Sequence, residues 1–136
     1  MKTRDRIVEG ARLLFNEQGY GAVTTAALAA HLGMAEGNLW YHFKTKRALL
    51  EVLGERFAAA IDYRLDMRPG TDPLASYVDL LRAMMAEFRR FRFLYRDQAG
   101  YGEHADVVGQ RAPEWLQRTF IQLEAHLAAL VDAGLL

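Results

Sequence analysis

Between residues 24 and 46 the chain concentrates side chains that can meet a polyanion. Thr24 and Thr25 carry hydroxyls at what reads as a helix start. Ala35, Glu36, Gly37 and Asn38 open a second short helix, which ends in Trp40, Tyr41 and His42 and is followed by Lys44 and Lys46. Helix-start N–H groups can hold a phosphate. Tyr41 and His42 can hydrogen-bond a phosphate, and Lys44 and Lys46 can neutralise one. Such contacts position a protein on duplex DNA but read no sequence. Base edges call for an exposed helical face with its back to a core. Here Leu39 and Phe43 supply the back, and the small residues Ala35 and Gly37 permit close approach.

The spacing predicts helices almost throughout. Residues 3–18 place Ile7, Ala11, Leu14 and Phe15 on one stripe, with Thr3 as cap and Gly19 as stop. Thr24 has the position of an N-cap for a helix carrying Leu28, Ala29 and Leu32, and Gly33 closes it. A third helix fits 35–42. A fourth starts near Thr45 and runs towards Asp66, striped by Leu49, Leu50, Leu53, Phe57, Ala60 and Ile61. Residues 68–73, Arg-Pro-Gly-Thr-Asp-Pro, break the chain. Asp72 then Pro73 reads as N-cap and first helical position. A long helix is expected from Leu74 to about Gln98, bearing Tyr77, Val78, Leu81, Met84, Met85, Phe88, Phe91, Leu94 and Tyr95. Residues 99–111 read as irregular or as a weak short helix. A last helix from about Pro113 to Ala133 carries Trp115, Leu116, Phe120, Leu123, Leu127 and Leu130. No segment alternates like a strand.

The fold class is therefore all-α. A three-helix helix-turn-helix head occupies 1–45, a linking helix 46–67, and a helical regulatory unit 72–136. Met84, Met85, Phe88, Phe91, Tyr95, Trp115 and Phe120 are candidates to line an effector pocket there, since thioethers and flat rings suit an apolar ligand; they equally suit a core. Arg89, Arg90, Arg92 and Arg96 can attract an acidic ligand or pair with Glu103 and Asp106.

Composition narrows the classes. Lys plus Arg and Asp plus Glu number 17 each, so any basic surface is local: Lys2, Arg4, Arg6 and Arg12, and Lys44, Lys46 and Arg47. Cysteine is absent, which excludes disulfides and thiolate chemistry. His31, His42, His104 and His126 have no ligand-type spacing, and no nucleophile or paired acid and base suggests an enzyme. No cofactor is implied. No apolar run nears the roughly 20 residues of a membrane span, and the charged N-terminus does not read as a signal peptide. A cytoplasmic protein is expected.

Residues 3–63 resemble the DNA-binding domain of TetR-type transcriptional regulators. The shared positions are Gly19-Tyr20, Thr24, Leu28-Ala29, Gly33, Gly37, the run Leu39-Trp40-Tyr41-His42-Phe43, Lys46 and Leu49-Leu50. The resemblance implies a repressor that binds a palindromic operator as a homodimer and is released by a small-molecule effector. It also implies that Thr25, Ala35, Gly37, Trp40, Tyr41, His42 and Lys46 touch the DNA. Two departures stand out. Glu36 brings a carboxylate where relatives are neutral or basic; it can accept from a cytosine amino group or simply favour a helix N-terminus. The sequence also ends near its seventh expected helix, where the resemblance implies two more that build the dimer interface. Either a fragment or a short natural form fits. The reading from another class is a truncated helical module that sequesters a partner regulator without binding DNA specifically.

Overall fold

The computed structural model describes residues 1–96 and 107–136. Among them the helices are α1 (Thr3–Gln18), α2 (Thr25–His31), α3 (Glu36–His42), α4 (Lys46–Leu65), α5 (Pro73–Arg90), α6 (Phe93–Arg96) and α7 (Val107–Asp132). Residues 97–106 lie outside the described residues. So do His104, the carboxylates of Glu103 and Asp106, and most of the segment expected to be irregular. The chain divides into two compact units: Met1–Arg56 with Arg90–Val107, and Phe57–Arg89 with Val108–Leu136. The linear division into 1–45, 46–67 and 72–136 does not follow this line, because residues 90–96 sit with the first unit and α4 contributes to both.

In the first unit Ile7, Val8, Ala11, Leu14 and Phe15 of α1 are buried, together with Leu28, Leu39, Leu49, Leu50 and Leu53. Removing one such side chain from water is worth about 1.5–3 kcal/mol. Phe15 packs edge-on against Tyr20 and Phe93 at ring separations of 5.1 and 5.5 Å. The start of α1 differs from expectation: Lys2 is the N-cap and makes no side-chain cap bond, so Thr3 is the first helical residue and not the cap. Gly19 does end the helix, at φ 88°.

The long helix expected from Leu74 to Gln98 stops at Arg90. Its end is held by side chains of α1. Asn16, buried among apolar neighbours, donates through Nδ2 to the Arg90 carbonyl at 2.6 Å and accepts at Oδ1 from the Phe93 amide at 3.1 Å. Arg12 donates to the same Arg90 carbonyl at 2.8 Å. One carboxamide thus satisfies the end of α5 and the start of α6, which a continuous helix would have satisfied internally. Phe91, Phe93 and Leu94 become buried.

In the second unit, Asp72 accepts from the Ala75 amide at 3.1 Å and Pro73 opens α5, as the sequence predicts. Only part of each apolar stripe is buried. On α5 the buried residues are Leu80 and Glu87, while Leu81, Met85 and Phe88 are exposed. On α7 Trp115, His126 and Leu130 are buried, and Leu116, Phe120 and Leu127 are exposed. Helix α7 also begins before Pro113, which lies inside it. The turn there is held from outside the ladder: Arg111 pairs with Glu114 and with Asp62 of α4.

Asp62 is the polar centre of this unit. Its carboxylate accepts from Arg111 at 2.8 and 3.0 Å, from Trp115 Nε1 at 3.0 Å and from Arg118 at 2.8 Å. Burial pushes its pKa up, but the bonds from Trp115, Arg111 and Arg118 and the Arg111 charge outweigh that, so the carboxyl titrates below its ordinary range. Close by, Arg64 reaches the buried Glu87 at 3.4 Å, and His126 Nε2 meets the Met67 carbonyl at 2.9 Å.

Candidate nucleic-acid interface

The segment from Thr24 to Phe43 is built by its own caps. Thr24 is extended, and its Oγ1 accepts from the Ala27 amide at 3.0 Å, starting α2. Such a cap is worth about 1 kcal/mol. At the other end Gly33 adopts φ 67°. Its amide bonds to the Ala30 carbonyl at 3.1 Å, and the Met34 amide to the Ala29 carbonyl at 3.0 Å. That pair of bonds is a Schellman stop, which needs a left-handed residue best supplied by glycine. Ala35 then caps α3 through its backbone, accepting from Asn38 N at 3.0 Å.

Two arginines of α1 hold the far ends of these helices. Arg6 donates to the Leu32 carbonyl at 2.9 Å. Arg4 donates to the His42 carbonyl at 3.4 Å and stacks over the Phe43 ring at 4.3 Å. Cations at helix C-termini complement the helix dipole. The N-terminal basic cluster therefore has an internal task besides any external one.

The face of α3 divides as the sequence predicts. Leu39 and Phe43 are buried, while Ala35, Glu36, Gly37 and Asn38 are exposed. Tyr41 is 76% exposed and Trp40 42%. Tyr41 therefore stands outward, and Trp40 shares its ring between the head and solvent. His42, partly exposed, stacks edge-on against Tyr41 at 5.1 Å. Thr24 and Lys44 are exposed and Thr25 is half-buried. The Thr25 hydroxyl donates to Glu36 at 2.8 Å, linking the first residue of α2 to the first of α3.

Lys46, expected to meet a phosphate, also has partners within the chain. Its Nζ donates to the carbonyls of Tyr20 and Val23 at 2.8 and 3.0 Å and lies 4.2 Å from the centre of the Tyr20 ring. Burial lowers its pKa. The ammonium fastens the start of α4 to the loop before α2. Carbonyls at a turn attract a cation as well as a phosphate does, and spacing alone does not distinguish the two.

The seven candidate pocket residues are divided between the two units, and in the second Phe88 and Trp115 both lie against the Phe57 ring, at 6.2 and 5.7 Å. Phe91 and Tyr95 belong to the first unit, whereas Met84, Met85, Phe88, Trp115 and Phe120 belong to the second. Trp115 is buried with its indole N–H on Asp62, Met84 is half-buried, and Met85, Phe88 and Phe120 are exposed. Sequence reasoning missed Asn16 and Asp62. Their one signal was a polar residue beside an apolar stripe.

Among the described residues no three His, Asp or Glu side chains converge as a metal-binding group, and no helix is long and apolar enough to cross a membrane.

Residues 7–53 match the family described as bacterial regulatory proteins, tetR family, and residues 56–136 match the one described as bacterial transcriptional repressor. The class D tetracycline repressor protein of Escherichia coli is 38% identical over 99 residues, which is 71% of this chain and 42% of that protein. The class C protein of the same organism is 33% identical over 131 residues, 96% of this chain and 54% of that one. The crystal structure of a TetR-family transcriptional regulator from Marinobacter aquaeolei VT8 superposes with a TM-score of 0.81 at 32% identity, over 98% of this chain and 66% of that one. The chain thus spans about half the length of the curated relatives it matches. With a family match that runs through its head and on to its last residue, the chain belongs to the TetR family of bacterial regulators.

Proposed function

We propose that this protein is a sequence-specific DNA-binding regulator, a ligand-responsive repressor that acts as a homodimer on a palindromic operator. The observation that carries the reading is the exposed face of α3. Small and polar side chains lie at its N-terminal end and Tyr41 stands fully outward, while Leu39 and Phe43 hold the helix to its core. A recognition helix needs this division of faces. Thr24, Thr25 and Lys44 border it at positions suited to phosphates, and the family supplies the context.

The effector is read as a small molecule held in the second unit, where Met84 and Trp115 are the candidates with side chains turned from solvent. Helix α4 contributes residues to both units, so a ligand with different affinity for two positions of that helix would bias the head. Two heads of a dimer would fit successive turns of the duplex, about 34 Å apart, in one of those positions only.

The test is selection of duplex genomic fragments by the protein in about 150 mM salt with competitor DNA, a range in which non-specific contacts weaken. An enriched palindrome supports the dimeric regulator, and a lone half-site supports a head that reads as a monomer. No enrichment refutes the reading. Tyr41→Ala should then weaken binding to the enriched site by about 1–3 kcal/mol with an unchanged melting temperature.

A further inference from the structure

The face that α3 presents carries one carboxylate, and a second helix holds it in place. Glu36 is the first residue of α3 and is exposed. Its Oε1 accepts the Thr25 hydroxyl at 2.8 Å. A negative charge beside phosphates opposes binding. Its benefit to the helix dipole, a few tenths of a kcal/mol or so, requires no bond to α2. The bond engages one oxygen of the carboxylate and leaves Oε2 outside it.

An ionised carboxylate accepts hydrogen bonds and donates none. The donors in the major groove are the N4 amino group of cytosine and the N6 amino group of adenine. Adenine sets its N7 acceptor beside N6, where a lone pair faces the carboxylate; cytosine offers its amino group with no acceptor of its own beside it. On the same face Asn38 is exposed as well, but its carboxamide suits adenine N6 and N7 together, not a lone cytosine amino group. Ala26 and Ala27 are exposed but cannot hydrogen-bond through their side chains, and Gly37 has open space where a Cβ would stand. N-terminal residues of the second helix of a helix-turn-helix contact base edges.

We infer that Thr25 and Glu36 form a base-reading pair that selects a cytosine at one position of each half-site. The inference rests on the DNA-binding reading above. It names what the pair recognises: a single cytosine amino group in the major groove, taken by Oε2 while the Thr25 hydroxyl holds Oε1.

The test is selection from a randomised duplex pool by the full chain, its Glu36→Gln variant and its Thr25→Val variant. The unaltered chain should enrich a motif with cytosine at one position. Glu36→Gln should lower that preference by about tenfold and favour adenine there, since a carboxamide matches N6 and N7 together. The other positions should stay as they were. Thr25→Val, which keeps the shape and removes the hydroxyl, should weaken the same preference at the same position. A motif with the same base preference in all three proteins overturns the inference and leaves DNA binding standing. No motif from the unaltered chain overturns both. Melting curves of the variants, expected to match that of the unaltered chain, separate a reading defect from a folding one.

Discussion

Behind the face of Glu36, Asn38 and Tyr41, the first unit buries Ile7, Leu14, Phe15, Leu28, Leu39 and Phe43. The second unit leaves Leu81, Met85, Phe88, Leu116, Phe120 and Leu127 on its surface and is tied through the carboxylate of Asp62. In the first unit apolar area does most of the work, and polar groups finish the helix ends. The second also buries apolar side chains, among them Phe57, Ile61, Leu65 and Leu80, but there a directional cluster of hydrogen bonds joins α4 to α7 as well. The contrast separates two routes to the same all-α architecture. Burial is non-directional and tolerant of salt and acid, whereas a carboxylate under four donor bonds has a defined orientation and a titration.

The largest expected effect tests the first half of that comparison. Phe15→Ala removes a ring buried between Tyr20 and Phe93 and should cost about 3–5 kcal/mol in urea unfolding. Phe120→Ala, the same change at a side chain 63% exposed, should stay within about 0.5 kcal/mol. Equal losses would mean that the two units do not differ in what their aromatic rings do.

Asp62→Asn tests the second half. It keeps the shape but loses the charge under Arg111, Arg118 and Trp115, and should cost about 2 kcal/mol given the partial exposure of the pair. The pH dependence follows from the lowered pKa of Asp62. The unfolded chain takes up the proton at a higher pH than the folded one. The stabilisation is therefore complete above the ordinary aspartate range and is lost as pH falls through the folded value. Acid unfolding of the Asn variant should lack that component. An identical acid limb in both proteins would remove Asp62 as the tie.

The smallest effects separate two neighbouring lysines. Lys46→Ala leaves the Tyr20 and Val23 carbonyls without their cation and should lower stability by about 1.5 kcal/mol. Lys44→Ala, at an exposed position, should leave stability unchanged and reduce the salt slope of DNA binding by about one unit. The reverse pattern would return Lys46 to the phosphates.

Much of the first unit was legible because its signals are local. Thr24 and Gly33 act on backbone groups within a few residues, as Asp72 and Pro73 do in the second unit, so their types and spacing name the helix ends. The stripe of α1 and the inward pair Leu39 and Phe43 were legible for a similar reason, since a short amphipathic helix has one way to hide its apolar side. The second unit was harder. Leu and Phe occur around much of α5 and α7, and periodicity does not say which of two apolar sides is covered. The actual inner side of α7 runs through Trp115, His126 and Leu130, with Thr119 and Gln122 half-buried between them.

The sequence by itself determined the all-α class, the boundaries of α2, α3 and α4 to within a residue or two, and which side chains of α3 point outward. Local hydrogen bonds and helical spacing suffice for each. Only the tertiary structure decided that α5 ends at Arg90, that Lys46 closes a turn, that Asp62 gathers two arginines and a tryptophan, and that Thr25 holds Glu36. Each of these joins residues between 11 and 78 positions apart. The energy of such a bond depends on where the rest of the chain places its partner, which no spacing within either segment contains.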